Sequence, residues 1–222
     1  VSGALRIAAS VGFGRLCLMP LLKGFMDEHP QLKIDLRLHD EFVDLVEQGI
    51  DAAIRIGHLD DSGLIAKRIG YSTRRLLVHP EYLRQYALHA KLPEHPDDLV
   101  HMNCIVYTGS SFKQSWRFSG AHGNHDGSPQ PLTVRVEGNI QTNSSEVIRQ
   151  AVLLGMGVAY CPDWLLAEEI KAGQVCEILR GWSEPPSPVW FVYPPQRKDS
   201  LKVRVLGDFL QARYSALLLP SQ

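Results

Sequence analysis

Ala4-Leu5-Arg6-Ile7-Ala8-Ala9-Ser10-Val11-Gly12-Phe13-Gly14 is the stretch that decides the fold of this chain. Leu5, Ile7 and Ala9 alternate with Ala4, Arg6 and Ala8, a period of two that predicts a short strand. Small and glycine residues follow at once, and then a helical pattern. A strand that hands over to a helix in this way leaves unpaired backbone N–H groups beyond its end, which suits a small acid. The helix must accommodate Pro20, which in a helix interior removes a hydrogen bond and clashes with the preceding turn. The spacing predicts a short helical turn from about Gly14, then a main helix with Pro20 near its first position, ending before Pro30. Leu21 and Phe25 make one apolar stripe, and Leu18, Leu22 and Met26 a second beside it. So wide an arc faces either the chain's own core or that core plus another surface.

Working outward, Leu32 to Leu38 alternates as a half-covered strand, and Asp40 is placed to cap a helix carrying Phe42, Val43, Leu45 and Val46 that stops at Gly49. Asp51 to Gly57 is a short strand with Arg55 near its end. Strand, helix, strand, helix, strand predicts parallel strands with right-handed crossovers. Further on, Leu64 to Gly70, Arg74 to His79 and Cys104 to Tyr107 are extended, and a helix covers Glu81 to Tyr86. Trp116 to Phe118 and Leu132 to Val136 form a hairpin whose turn-rich tip, Gly120 to Pro131, should be mobile. Asn143, three residues before Glu146, fits a capping box, and Gly155 stops that helix. Val158 to Tyr160, Val175 to Leu179 and Val189 to Tyr193 are extended, Asp163 caps a helix through Ile170, and a closing helix carries Leu201, Val205, Phe209 and Leu210.

Two strand-to-helix turns suggest two α/β lobes, and open α/β sheets bind ligands at the carboxyl ends of their strands. That rule selects Ser10, Val11 and Phe13 at the first turn, Tyr107 and Thr108 at a strand end of the second lobe, and Asn143 and Ser144 at the second turn. Arg55 ends an otherwise apolar strand, where an unpaired charge is costly. It pairs either with an anionic ligand or with a structural acid such as Asp40 or Asp51, while Ile56 and Gly57 offer backbone contacts and Val158 a wall.

Composition sets the outer limits. The 222 residues are 45% hydrophobic and 21% charged, enough for one good core or two smaller ones. Lys and Arg number 23 against 24 Asp and Glu, so no basic excess favours nucleic acid. The apolar run Leu16 to Leu22 is broken by Pro20 and falls far short of the roughly twenty residues of a membrane helix. Cys17, Cys104, Cys161 and Cys176 form no C-x-x-C pair and lie in apolar stretches, as buried thiols of a reducing compartment do. His122, His125 and Asp126 sit in a glycine-rich loop without the apolar frame that fixes ligands, so no metal is expected. No cofactor or catalysis is expected either. Gly12-Phe13-Gly14 fails the dinucleotide pattern because Cys17 stands at its third glycine, Gly155-Met156-Gly157 follows a helix instead of opening one, and no G-x-S-x-G elbow occurs.

Several segments, in order, carry a resemblance: Leu5 to Ala9, Leu18-Met19-Pro20-Leu21-Leu22 with Phe25 to Pro30, Asp44-Leu45-Val46 through Gly57, His79-Pro80-Glu81-Tyr82-Leu83, His101-Met102-Asn103-Cys104, Trp116-Arg117-Phe118, and Gly155 to Ala159 with Pro162. Over essentially its whole length the chain resembles the effector-binding domain of a LysR-type transcriptional regulator. The resemblance implies a fold like the type 2 periplasmic binding proteins, two α/β subdomains joined by two crossover strands. The first subdomain would hold residues 1–72 and 178–222 and the second 73–177. It implies a small-molecule effector, often an organic acid, in a cleft, with Ser10 at the family's cleft serine and Asn143 and Ser144 across from it. It also implies a cytoplasmic homodimer, with higher oligomers of the intact protein. In the family a first-subdomain helix packs on a partner's second-subdomain helix, for which Leu18, Leu22 and Met26 would serve. DNA would be bound through an N-terminal winged helix-turn-helix, which is expected to be absent from this chain. The alternative is a transport-linked solute-binding protein of the same architecture; an enzyme using the cleft is disfavoured.

Overall fold

The opening alternation is a strand, β1 (Gly3–Ala9), with Leu5 and Ile7 fully buried. The computed structural model describes residues 1–41, 43–59, 62–109, 114–120 and 131–214. From β1 the chain turns directly into helix. Val11–Phe13 (α1) is α-helical, Gly14–Leu18 widens into a π-helical turn in which the Met19 N–H donates to the Gly14 carbonyl, and Met19–Glu28 (α2) is α-helical again. Pro20 explains the widening: it has no N–H to continue an α-helical register, and a π-turn absorbs the mismatch. Gly14 lies against the side chain of Leu38, which leaves no room for a Cβ.

Leu18 and Leu22 are 0% and 1% exposed, so of the second stripe these two belong to the core of this unit and Met26 does not. The helix buries a wide apolar arc along most of its length. Met19 and Met26, at 50% and 37%, are the large apolar side chains that α2 leaves outside.

Strands β2 (Leu32–Leu38) and β3 (Ala52–Ile56) pair in parallel with β1 on its two sides. The expected helix between them is replaced, over residues 43–50, by a turn. Asp40, the expected cap, instead accepts the Val11 N–H at 3.0 Å. Asp44 holds the turn by accepting the Val46 and Glu47 N–H groups at 2.8 and 3.0 Å, and Leu45 and Ile50 are buried beneath it. An aspartate that can bond its neighbours' amides competes with helix, and here it wins. Phe42 and the expected hairpin tip beyond Gly120 lie outside the described residues.

After β4 (Ile65–Ser72) come β5 (Arg74–Val78), α3 (Pro80–Ala87), β6 (Cys104–Tyr107), β7 (Ser115–Ser119), β8 (Pro131–Arg135), β9 (Ile140–Thr142), α4 (Ser145–Leu153), β10 (Val158–Pro162), α5 (Ala167–Lys171) and β11 (Cys176–Ile178). The chain ends its described course with β12 (Ser187–Tyr193) and α6 (Leu201–Arg213). Two compact units result, Val1–Ser72 with the segment from Ser187 onward, and Thr73–Pro186. The return therefore falls at Ser187 and not at residue 178. β11 stays in the second unit because it pairs antiparallel with β5, Cys176 opposite Val78.

The first unit is a five-stranded sheet in the order β2-β1-β3-β12-β4, with β12 antiparallel to both neighbours. α6 packs on it through Val203, Leu206 and Leu210, whereas Leu201 of the expected stripe is exposed. The second unit holds a five-stranded sheet, β11-β5-β10-β6-β9, and the β7-β8 hairpin. Its core joins Val78, Cys104, Val106 and Val158 of the sheet to Trp116, Phe118 and Val134 of the hairpin. Asn103 ties the start of β6 to its surroundings, donating to the Asn139 side chain at 2.9 Å and to the Met156 carbonyl at 2.6 Å. Gly157 must be glycine, since a Cβ there would run into the Asn103 carbonyl.

Candidate functional site

In the first unit, the order β2-β1-β3-β12-β4 means that the connection leaving β1 runs to β2 on one side and the connection leaving β3 runs to β4 on the other, so the carboxyl ends of β1 and β3 flank a topological switch point, where α/β sheets bind ligands. A cavity of about 40 Å³ opens there, lined by Ala8, Ala9 and Ser10 from β1, His39, Asp40 and Glu41 after β2, Val43 and Leu45 of the turn, and Ala53, Ile54 and Arg55 of β3. The strand residues are small, so the floor is close to backbone, and the rim is polar. The cavity thus brings Ser10 and Arg55 together.

Ser10 is half-buried and stands where the helix begins, but its side chain makes no capping hydrogen bond. The Val11 N–H, expected to hold a ligand carboxylate, is given to Asp40 at 3.0 Å. A carboxylate of the protein occupies the favourable position at the start of the helix. The Phe13 side chain is 1% exposed and lies near Tyr214, ring centroids 5.8 Å apart, so its ring belongs to the core and only its backbone amide stands at the first turn. Arg55 donates to the Val43 carbonyl at 3.3 Å. Burial pulls its pKa down, and the charge of Asp44 opposes that fall, so Asp44 is a structural acid beside it. Ile56 and Gly57 lie beyond the cavity lining. Gly57 has φ +100°, gives its N–H to the Pro188 carbonyl at 2.9 Å and accepts the Trp190 indole N–H at 3.0 Å, which commits its backbone to the junction with β12.

In the second unit, β6, β9 and β10 are parallel, and β6 and β9 end side by side. Their carboxyl ends carry Tyr107 and Thr108 on one strand and Thr142, Asn143 and Ser144 on the other. The Thr108 N–H donates to the Thr142 carbonyl at 2.7 Å and the Ser144 N–H to the Thr142 hydroxyl at 3.1 Å. These predicted residues are therefore neighbours. The capping box is not formed: Ser144 is the cap residue of α4, without a side-chain cap bond, and Asn143 is exposed before it. Val158 is fully buried at the amino end of β10, paired with Val78 and Cys104, and cannot wall a site at the carboxyl ends.

Sequence reasoning missed His39, Asp40 and Glu41 as lining residues. The signal was present, since they follow a predicted strand adjacent to β1, and the strand-end rule applies to them as it does to Ser10.

Among the described residues no group of three or more His, Cys, Asp and Glu is gathered as for a metal, and His122, His125 and Asp126 lie outside them. No described helix is long and apolar enough to cross a membrane. The four thiols are free.

Residues 1–215 match the family model described as the LysR substrate binding domain. The chain is 31% identical over 214 residues to the HTH-type transcriptional regulator DmlR of Escherichia coli, covering 96% of this chain and 66% of that protein. It is 30% identical over 203 residues to an uncharacterised HTH-type transcriptional regulator of Haemophilus influenzae, covering 91% and 67%. It thus spans about two thirds of the length of the curated relatives it matches. Among solved structures, the regulatory domain of CrgA, a LysR-type transcriptional regulator from Neisseria meningitidis, superposes with a TM-score of 0.82 at 26% identity, covering 96% of this chain and all of that one. Full-length AphB, the Vibrio cholerae virulence activator of the same protein family, gives 0.79 at 25% identity over 96% of this chain and 69% of that one.

Proposed function

The chain belongs to the LysR substrate-binding domain family, with the periplasmic-binding-protein-like fold of LysR regulatory domains, and from that premise we propose how it works as the effector-binding domain of a LysR-type transcription regulator. A small molecule is held by the cavity at the carboxyl ends of β1 and β3 in the first unit, with Ser10 and Arg55. The strand ends of the second unit, with Thr108, Asn143 and Ser144, are a second set of candidate effector contacts. The observation that carries this reading is that both sets of polar residues stand at carboxyl ends of parallel strands, one of them around a cavity. Binding shifts the balance between arrangements of the two units, because a ligand stabilises whichever arrangement it contacts best.

DNA binding belongs to a helix-turn-helix of the intact protein, which acts in the cytoplasm as a homodimer or higher oligomer. In the dimer, Met19 and Met26 of α2 pack on α4 of a second copy, where Val147 and, just past the helix end, Leu154 are exposed seven residues apart. The relatives are transcriptional regulators, which favours this role over transport or catalysis. A thermal-shift and calorimetric screen of organic acids, amino acids and aromatic metabolites tests the reading. At least one compound should bind with micromolar to millimolar affinity, and Ser10→Ala and Ser144→Ala should each weaken it. Binding that ignores both substitutions would refute the site.

A further inference from the structure

Asp40 takes the Val11 N–H, so the place at which a ligand carboxylate would meet the start of the helix is filled by a carboxylate of the protein. The same cavity is lined by a second acid, Glu41, by one guanidinium, Arg55, by the Ser10 hydroxyl and by the His39 imidazole. Among the described lining residues the formal balance, two carboxylates against one guanidinium, is negative. A ligand offering only carboxylates would gain from Arg55 and lose against Asp40 and Glu41. A ligand offering a cation and an anion on the same carbon would satisfy both sides at once. The cavity volume of about 40 Å³ admits one such head group, and Val43, Leu45 and Ile54 supply an apolar wall for the carbon that joins the two charges.

Resting on the effector reading above, we infer that the head group seated in the first unit is that of an α-amino acid. The ligand ammonium donates to the Asp40 carboxylate and the Ser10 hydroxyl, and the ligand carboxylate accepts from the Arg55 guanidinium. The remainder of the amino acid projects out of the cavity. Asp40 thereby has two duties: it caps the helix through one oxygen and selects the cation with its charge. Arg55, already partly desolvated and held by the Val43 carbonyl, is a positioned donor fork and not a mobile surface charge.

The test uses matched triplets titrated calorimetrically into the chain: L-alanine with propionate and N-acetyl-L-alanine, L-glutamate with glutarate and N-acetyl-L-glutamate, and L-phenylalanine with 3-phenylpropionate and its N-acetyl form. In at least one triplet the free amino acid should bind tenfold or more tightly than its two partners. Asp40→Asn, whose amide oxygen can still accept the Val11 N–H, should erase most of that preference while leaving the unfolding temperature of the ligand-free chain nearly unchanged. Desamino acids binding as tightly as the amino acids, or a preference that survives Asp40→Asn, overturns the assignment and leaves the effector reading standing. If no triplet binds, the amino-acid assignment falls, and the wider screen described above decides the effector reading by itself.

Discussion

Tyr160→Phe removes one oxygen atom from the place where the second unit gathers both of its chain connections. The ring of Tyr160 is buried against Phe118 and Trp116, centroids 4.9 and 5.7 Å away. Its hydroxyl accepts the Glu184 N–H at 2.7 Å, two residues before this unit ends, and the Arg74 guanidinium stands over its face at 5.8 Å, just after the unit begins. Phenylalanine keeps the ring contacts and the cation over the ring but leaves a half-buried backbone donor without its acceptor, at a cost of about 1–2 kcal/mol. Local opening at Glu184 should become easier by that amount, so its amide should exchange about five- to thirtyfold faster. Amides in the middle of β10 should be little affected. Tyr160→Ala also loses the ring and should cost about 3–5 kcal/mol across the unit. Hydrogen exchange read by mass spectrometry or NMR, together with urea unfolding, measures both. An unchanged Glu184 amide in the Phe variant, or equal destabilisation by Phe and Ala, would refute the account of the hydroxyl as a tie on the outgoing connection.

Burial pushes the Cys104 and Cys161 thiols and the Tyr160 phenol up to about 12. Between about pH 9 and 12 the unfolded chain gives up protons that the folded chain keeps, so stability should fall as pH rises through that window, and Cys104→Ala should flatten the fall in alkaline urea titrations. Arg75→Met should cost about 3 kcal/mol in urea unfolding, because it leaves the largely buried Asp163 and Glu177 carboxylates without the guanidinium that lies 3.9 and 2.8 Å from them. Met19→Glu with Met26→Glu should move the sedimenting species toward monomer without altering the unfolding midpoint of the dilute protein; an unchanged dimer would remove α2 from the proposed interface.

What could be read from the sequence was whatever periodicity alone decides. Leu5, Ile7 and Ala9 sit on a period of two, and nothing nearby competes, so β1 and the turn after it were legible. Pro20 is placed near a helix start by its chemistry, although the π-helical turn that accommodates it leaves no mark in the periodicity. The errors share a cause, which is that short polar side chains have more than one acceptable partner. Asp40 could have begun a helix of its own; it caps another one, from β2 across to α1, because β1 and β2 end side by side. Asn143 had the spacing of a cap but lies one residue too early, with the Thr142 hydroxyl already bonded to the Ser144 amide. Leu18 and Leu22 illustrate the other limit. A wide apolar arc does not say how much of it one sheet covers, and here both leucines are covered.

The small size of the first-unit cavity bears on how a signal could arise. A head group of five heavy atoms gains at most about 1.5 kcal/mol per atom, hence at most about 7.5 kcal/mol, a low-micromolar affinity at best. Contacts confined to one unit are also the same in every arrangement of the two, so they bind without shifting the balance. A response therefore requires contacts outside the cavity that differ between arrangements, for which Thr108 and Ser144 of the second unit are the residues to test. The two halves should then separate by experiment. Asp40→Asn and Arg55→Gln should reduce affinity and response together, whereas Thr108→Val with Ser144→Ala should lower the response of the intact regulator in a reporter assay more than it lowers affinity measured by calorimetry. Equal losses of affinity and response from the second pair would mean that those residues anchor the ligand and do not convert its binding into a change of state.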